Sequence, residues 1–290
     1  MSFRTVVVKN RCKLEYSLNF LVYRAGEEIK KILIDEIEFV IIQNPAVCIT
    51  CNLLSELAAK KVKVIFCDLK ANPQFEITPY FNNYCTYKKI QQQIGFDLRT
   101  KNLLWQMIIK EKIKNEKRLM EVLNLKEYIK LEEYIKEVEE GDKTNREGHA
   151  AKVYFNSLFG LDFSRRDSSN RINAYLNYGY SIIVSAINRE IKLLGYLTEL
   201  GIHHKGETNS FNLTYDFFEP LRSYVDSFVI KGKVNDENYK HFFVNLLSSY
   251  VIYNENKMFL DNAIHLYVQS LFNALCRKDL TEVKFIEYEL

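Results

Sequence analysis

Three short segments in the second half of the chain place histidines close to carboxylates. They span residues 146–149, 201–207 and 216–220, and the first two hold three of the five histidines in the 290-residue sequence. Two carboxylates with one imidazole suit Mn²⁺ or Mg²⁺ completed by water and a substrate phosphate, whereas a structural zinc site needs thiolates or more imidazoles. This composition points to phosphodiester chemistry, in which a metal polarises the scissile phosphate.

Glu147 begins a predicted helix and has a structural alternative to metal binding. Thr144-Asn-Arg-Glu147 matches a capping box, in which the glutamate returns to the backbone N–H of Thr144. Ala150, Ala151 and Tyr154 then give the helix a buried face. Taken alone, the spacing favours the cap.

The adjacent histidines follow a predicted helix that ends at Leu200, with Gly201 as its C-terminal cap. Neighbouring histidines on a tight loop usually point in different directions, so at most one is expected to bind a metal directly. Asp216 and Glu219 are three residues apart and share a helix face. Pro220 predicts a kink or a later helix start, because proline disfavours helical conformation in the residue before it.

The elements that must position these residues change character along the chain. Up to about residue 80 the pattern predicts strands over residues 4–8, 15–23, 31–34, 37–42 and 62–66, in a mainly antiparallel sheet. One helix over 51–61, capped by Thr50, interrupts them. From about residue 86 the period becomes 3.6 and nearly all of the chain is predicted to be helical. The fold class is therefore α+β, with a β-rich domain (1–80) followed by a larger all-α domain (81–290).

Composition and charge exclude some classes of protein but do not identify one. The chain is 47% hydrophobic and 27% charged, and its net charge of +3 is too small to indicate a nucleic-acid partner by itself. Lys110, Lys114 and Lys117 share a helix face, but interleaved glutamates favour a solvated face over a stripe for DNA phosphates. No signal peptide or membrane span is predicted, so a cytoplasmic protein without membrane contact is expected.

Six cysteines lie mostly in apolar segments and are predicted to be buried thiols. Cys48-Ile-Thr-Cys51 has the spacing of a redox or zinc motif, but no second pair completes a zinc site. A structural role is the favoured interpretation of this pair.

Four motifs follow one another in a recognisable order between residues 147 and 222. They are Glu147-Gly-x-Ala-Ala-x-x-Tyr154-Phe155, Asn173-Ala-Tyr-Leu-Asn177-Tyr-Gly-Tyr180, Gly201-Ile-His-His204 and Asp216-Phe-Phe-Glu219-Pro-x-Arg222. Together they resemble the CRISPR-associated integrases of the Cas1 family, and the last two are most similar to its type II branch. The first half of the chain resembles the N-terminal β-domain of that family.

The resemblance implies a set of site residues. The metal-binding glutamate of the family matches Glu147, its histidine matches His204, and its final acidic ligand matches Glu219. Asp216 is implied as a supporting carboxylate. His203 is expected to be structural or a DNA contact, with metal binding the less favoured alternative. Residues that flank the motifs are candidate DNA contacts by position only: Arg146, Arg165, Arg166, Arg171 and Asn173.

The resemblance also implies a reaction and partners. The reaction is Mn²⁺- or Mg²⁺-dependent transesterification, in which the 3′-hydroxyl of protospacer DNA attacks a phosphodiester at each end of the CRISPR repeat. The family forms homodimers through its β-domains, and two dimers clamp a Cas2 dimer, which gives a heterohexamer of four integrase and two Cas2 chains on double-stranded DNA. In the type II branch an effector nuclease and a ring-shaped DNA-end-binding protein assist. A stand-alone nuclease for branched DNA and a catalytically silent scaffold are the alternatives.

Overall fold

The chain divides into two compact units, residues 1–84 and residues 85–290. The computed structural model describes residues 4–69, 71–77 and 86–290. The predicted domain boundary between residues 80 and 81 lies outside the described residues. Each unit is described by itself.

The N-terminal unit contains two four-stranded sheets, with strand orders β1-β5-β7-β8 and β4-β3-β2-β6. Its elements are β1 (Arg4–Val8), β2 (Lys13–Ser17), β3 (Phe20–Ala25), β4 (Glu28–Leu33), β5 (Ile37–Ile42), β6 (Cys48–Ile49), α1 (Cys51–Ala59), β7 (Lys63–Cys67) and β8 (Pro73–Glu76).

The prediction of a mainly antiparallel sheet is wrong for the first of these sheets. There β5 pairs in parallel with both β1 and β7, and only β8 runs antiparallel. The reason is visible in β5, where five of six residues are buried. A continuous apolar run of this kind is typical of a parallel strand that is covered on both faces.

Helix α1 forms as predicted and packs on the core of the N-terminal unit. Thr50 caps it by accepting a hydrogen bond from the backbone N–H of Leu53 at 3.3 Å. Leu53 and Leu57 are fully buried in that core. Beside the helix, Cys48 and Cys51 are exposed, so the prediction of buried thiols is wrong for this pair.

The second unit is mostly helical. Its helices are α2 (Thr86–Ile94), α3 (Leu98–Val122), α4 (Tyr128–Glu137), α5 (Arg146–Phe159), α6 (Arg171–Leu193), α7 (Asn212–Phe218), α8 (Arg222–Ile230), α9 (Tyr239–Val244) and α10 (Leu260–Arg277). The strands β9 (Tyr250–Tyr253), β10 (Asn256–Phe259) and β11 (Ile286–Glu287) form an antiparallel sheet that the sequence did not predict. The α+β class is confirmed.

Helix α3 is the central element of the helical unit. It contacts α4, α5, α7, α8 and α10. Asp97 caps it by accepting a hydrogen bond from the backbone N–H of Thr100 at 2.9 Å. Ile108, Ile109 and Ile113 are fully buried along it. The same buried stripe also contains two charged residues, Lys112 and Glu116.

Helices α6 and α10 are joined by a buried group of charged side chains. Arg189 contacts Glu190 at 2.8 Å and Asp261 at 2.8 Å. His265 Nδ1 lies 2.6 Å from Glu190 Oε2. The hydrogen bond to Glu190 raises the pKa of His265, although partial burial opposes the shift.

The His265→Gln variant is expected to reveal a pH-dependent share of stability. Because the pKa of His265 is raised in the folded state, its ion pair stabilises the protein fully below the unfolded pKa of about 6.5 and is lost as pH rises through the folded value. The free energy of unfolding of the wild type should therefore exceed that of the variant at about pH 5.5, and this advantage should be smaller at about pH 9. Urea titrations at both values measure it.

His241→Gln is the matched control for this measurement. His241 is exposed, and no described residue forms an ion pair with it. Its effect on unfolding should not change with pH in the same way. An advantage of the wild type over His265→Gln that stays constant with pH would contradict the proposed ion pair.

None of the helices in the described ranges is both long enough and apolar enough to cross a membrane.

Candidate active site

The predicted site residues of the helical unit come from α5, the loop between α6 and α7, and the junction of α7 with α8. They face helix α3, which contacts α5, α7 and α8. Lys112 of α3 lies at the centre of this group: its Nζ is 2.6 Å from Glu147 Oε1 and 2.6 Å from Glu219 Oε2. The structure thus brings together two of the three predicted ligands around one cation.

The N-terminus of α5 leaves the Glu147 carboxylate free for this contact. Asn145, in the left-handed conformation with φ 51°, caps the helix by accepting the N–H of Gly148 at 3.2 Å. Asp142 accepts the N–H groups of Arg146 and Glu147 at 2.8 and 3.0 Å. The capping box from Thr144 is therefore wrong. Asparagine tolerates the left-handed region, so Asn145 rather than Thr144 is the N-cap residue.

Glu219 begins a 3-10 turn (Glu219–Leu221) that joins α7 to α8, with Pro220 near its start. This turn is the interruption that proline predicts. The side chain of Glu219 is 2% exposed, and Arg222 donates to its two oxygens at 2.8 and 2.7 Å. Burial raises the pKa of Glu219, but the charges of Arg222 and Lys112 outweigh it and hold the pKa well below its usual range. Glu219 is therefore ionised.

The same charges keep Lys112 protonated. Burial alone would lower the pKa of this fully enclosed ammonium, and the carboxylates of Glu219 and Glu147 raise it above the ordinary value. The charges of these four side chains therefore balance. Lys112 and Arg222 are the two cations, and Glu147 and Glu219 are the two anions.

The histidine loop is longer than the sequence predicts. Helix α6 ends at Leu193, followed by Gly195 with φ 83°, so neither the helix end at Leu200 nor the cap at Gly201 is correct. Gly201 is needed for another reason. A Cβ there would lie 2.3 Å from the carbonyl oxygen of His204 and 2.8 Å from Asp216 Oδ2, so only glycine fits.

Asp216 organises this loop from helix α7. Its carboxylate accepts the backbone N–H groups of Ile202, His203 and His204 at 2.7, 3.0 and 3.1 Å. His204 Nδ1 lies 2.6 Å from Asp216 Oδ1, and this hydrogen bond raises the pKa of His204. Because the carboxylate can only accept, Nδ1 carries the hydrogen, and the lone pair of neutral His204 is on Nε2. A carboxylate that orients a histidine in this way is common behind metal ligands.

The two histidines have different surroundings. The ring of His203 stacks on Trp105 with centroids 4.2 Å apart, and partial burial lowers its pKa. His204 meets the same indole edge-on and binds Asp216. This arrangement agrees with a packing role for His203.

Most of the candidate DNA-contact residues have partners within the chain. Arg146 lies 3.0 Å from Glu137, and Arg171 lies 2.7 Å from Asp236. Asn173 is buried, donates to the backbone carbonyls of Ser164 and Asp167, and accepts from Arg165. Asn173 therefore fixes the loop between α5 and α6. Arg166, on that loop, is exposed.

Sequence reasoning missed two charged residues of this group, Lys112 and Glu116. Both are buried within the apolar stripe of α3, at 5% and 2% exposure. The sequence contains a sign of their burial. Lys112 and Glu116 are four residues apart and share a helix face with the apolar residues Ile108, Ile109 and Ile113. A charged residue in such a stripe needs a buried partner.

The donor types at the site fit a divalent cation. Two carboxylates already converge on a positive charge. His204 is a third potential donor: its hydrogen bond to Asp216 is the main cause of its raised pKa, and the charges of Glu219 and Glu147 add to the shift. Among the described residues, no three histidine, cysteine, aspartate or glutamate side chains are grouped closely enough to hold a metal ion as they stand. In this arrangement the ammonium of Lys112 is the cation between the carboxylates.

The fold and the site define a class of protein with a β-rich unit, a helical unit and an acidic centre built on α3, α5 and the α7–α8 junction. The family model described as CRISPR associated protein Cas1 matches residues 5–260. The chain therefore belongs to the Cas1 family of CRISPR-associated proteins, and the resemblance seen in the sequence motifs is confirmed.

Two relatives illustrate the range of sequence similarity. The CRISPR-associated endonuclease Cas1 of Neisseria meningitidis serogroup C (strain 8013) is 36% identical over 231 residues, which cover 79% of this chain and 76% of the relative. CRISPR-associated endonuclease Cas1 2 of Saccharolobus solfataricus is 25% identical over 241 residues, which cover 80% of this chain and 76% of the relative.

Solved structures share the fold at lower sequence identity. A casposase bound to integration product superposes with a TM-score of 0.79 at 20% identity, over 99% of this chain and 95% of that chain. A chain of a Cas6-RT-Cas1–Cas2 complex superposes with a TM-score of 0.74 at 16% identity, over 96% of this chain and 35% of that chain. Both show that the described architecture is a recurrent one.

Proposed function

We propose that this protein is a metal-dependent DNA integrase subunit that inserts protospacer DNA into a CRISPR array. The observation that carries the proposal is the convergence of Glu147 and Glu219 on one cation, each at 2.6 Å from Lys112 Nζ. Membership of the Cas1 family supports it. Relatives named as CRISPR-associated endonucleases and a casposase bound to integration product point to phosphodiester chemistry on DNA.

Glu147, Glu219 and Nε2 of His204 are the groups that would hold Mn²⁺ or Mg²⁺. When bound, the ion would polarise the scissile phosphate and neutralise the charge that develops on the attacking and leaving oxygens. Arg222 keeps Glu219 ionised and fixes both of its oxygens. Asp216 keeps the hydrogen of His204 on Nδ1, so that Nε2 stays available.

The reaction that fits this site is a transesterification. The 3′-oxygen of the incoming DNA forms one P–O bond, and one P–O bond of the repeat breaks, so the number of phosphodiesters is conserved. The incoming 3′-hydroxyl loses its proton, and the displaced 3′-oxygen of the flanking target strand gains one. No covalent enzyme intermediate is needed, so the chain contributes binding, alignment and charge.

The proposed assembly follows the family. The N-terminal β-rich unit (predicted over 1–80) serves as the dimerisation domain, and the helical unit (predicted over 81–290) is catalytic. Two dimers would join a Cas2 dimer on double-stranded DNA, and a type II effector nuclease and a ring-shaped DNA-end-binding protein would select the fragments. A fold neighbour that is part of a Cas1–Cas2 complex supports the Cas2 partner. Arg166 is an exposed DNA-contact candidate on the loop between α5 and α6.

A plasmid-integration assay tests the proposal. Purified protein, Cas2 and Mn²⁺ are incubated with a protospacer and a supercoiled plasmid that carries a CRISPR array. The wild type is expected to join the two DNAs, and Glu147→Ala, His204→Ala and Glu219→Ala should each abolish joining, because each removes a proposed ligand. Complex formation with Cas2, measured by size-exclusion chromatography, should survive in all three.

Each alternative gives a different outcome in this assay. Joining that persists in all three variants would show that the site is elsewhere. Cleavage of branched DNA without any joining would indicate a stand-alone nuclease. DNA binding without either reaction would indicate a scaffold.

Lys114→Ala is a matched control, because this lysine is on α3 but lies on the exposed face beside Glu111.

A further inference from the structure

We propose that Lys112 is a built-in competitor for the metal site, and that a divalent ion enters by displacing its ammonium toward Glu116, one helical turn further along α3. The proposal rests on the proposed function, because it concerns the same two carboxylates. It assigns roles to two residues of α3 that belong to none of the four sequence motifs.

The first step is the position of the ammonium. Lys112 Nζ lies 2.6 Å from an oxygen of each carboxylate, and the lysine side chain is 6% exposed. An Mg²⁺ ion binds carboxylate oxygens at about 2.0–2.1 Å. An ion held by Glu147 and Glu219 together would need the space that the ammonium fills. The two cations therefore exclude each other.

The second step is the charge balance. Lys112 and Arg222 face Glu147 and Glu219, so the group is balanced while the ammonium is in place. Adding a divalent ion beside both side-chain cations would leave two positive charges uncompensated in a buried site, where such charge is costly. Displacement of the ammonium toward Glu116 reduces this excess, because the Glu116 carboxyl group releases its proton to solvent as the ammonium arrives.

The third step is the presence of that carboxylate. Glu116 is 2% exposed, and no described residue donates a hydrogen bond to its Oε2. It lies four residues after Lys112 on the same helix, so the two side chains are neighbours. Lys112 already interacts electrostatically with Glu116. A buried carboxylate oxygen without a donor is a ready acceptor for an ammonium that leaves Glu147 and Glu219.

Burial raises the pKa of Glu116 to about 8. Lys112 opposes this shift, which agrees with an ammonium that is close enough to interact with Glu116 but is held by Glu147 and Glu219. An approaching ammonium would favour its ionised form.

Mn²⁺ binding to the full-length protein without DNA tests the proposal. Isothermal titration calorimetry or electron paramagnetic resonance gives the affinity of the wild type, Lys112→Met, Glu116→Gln and the double variant. Lys112→Met should bind Mn²⁺ at least about tenfold more tightly, because it removes the competitor. Glu116→Gln should bind it more weakly, because the displaced ammonium loses its carboxylate. In the double variant the effect of Glu116→Gln should disappear.

Unfolding measurements separate competition from a loss of structure. Without metal, Lys112→Met should have a lower melting temperature than the wild type, because the buried carboxylate of Glu219 and the partly buried carboxylate of Glu147 lose a counterion. With Mn²⁺ its melting temperature should rise more than that of the wild type. Lys114→Met, an exposed lysine on the same helix, should change neither the affinity nor this rise.

The outcomes distinguish this proposal from the proposed function. If Glu147→Ala binds Mn²⁺ as tightly as the wild type, the metal site itself is wrong and the displacement proposal fails with it. If Glu147→Ala loses Mn²⁺ but Lys112→Met binds no more tightly than the wild type, only the displacement proposal is overturned. Should Lys112→Met fail to fold, an unchanged affinity of the isosteric Glu116→Gln variant overturns the role of Glu116.

Discussion

Asp216→Asn is expected to reduce DNA strand joining by about 10- to 100-fold and to weaken Mn²⁺ binding by a similar factor. The wild-type carboxylate accepts three backbone N–H groups and His204 Nδ1 at 2.6–3.1 Å. The amide offers one acceptor oxygen and one NH₂ group, so at least one of these donors loses its acceptor. The variant therefore disturbs the loop without changing the volume of the side chain.

The largest effect is expected at His204. If the NH₂ group of the new amide faces Nδ1, the histidine accepts there and carries its hydrogen on Nε2. That tautomer has no lone pair on Nε2 for a metal ion. A buried acidic partner that is replaced by its amide can block catalysis through the wrong histidine tautomer while the geometry is kept.

Initial joining rates over a series of Mn²⁺ concentrations measure this effect. A shift in the Mn²⁺ concentration for half-maximal rate separates weaker metal binding from a general loss of activity. Asp279→Asn is the matched control, because Asp279 is an exposed aspartate that caps a short turn, a role that asparagine can also fill. Equal effects of both substitutions would contradict the role of Asp216.

The sequence predicts the class of the fold and the order of its elements, because these depend on local periodicity. Helix α1 and strands β1 and β5 form where the pattern places them. The parallel pairing of β5 with β1 and β7 was not predicted, because a short apolar run is typical of parallel strands but also occurs in the core strands of antiparallel sandwiches. The hairpin of β9 and β10 is short and lies between helical stretches, so its alternation was overlooked.

The residues of the candidate site were likewise predicted only in part. The motifs indicate Glu147, His204 and Glu219 by resemblance, and their spacing suggests Asp216 as a partner. Lys112 is about 35 residues from the nearest of them in sequence, and only packing in three dimensions brings it to their carboxylates. The predicted capping box at Thr144 is wrong for a local reason: Asn145 caps the helix in a left-handed conformation that a capping-box pattern does not anticipate.

Arg189→Met is expected to lower the free energy of unfolding by about 3–5 kcal/mol. The guanidinium donates to Glu190 at 2.8 Å and to both oxygens of Asp261 at 3.0 and 2.8 Å. All three side chains are less than one tenth exposed. Methionine fills much of the same space but leaves two buried carboxylates without this counterion, and His265 compensates only Glu190.

Urea unfolding at about pH 7 measures the loss, because Asp and Glu carboxylates normally ionise well below that value. Arg277→Met is the matched control: Arg277 pairs with Glu282 at 2.7 Å, but its side chain is 64% exposed, so its loss should cost no more than about 1 kcal/mol. A cost for Arg189→Met as small as that of the control would mean that Glu190 and Asp261 do not depend on Arg189 for compensation. A large cost would show that Arg189 compensates these two buried carboxylates and so links α6, which leads into the histidine loop, to α10.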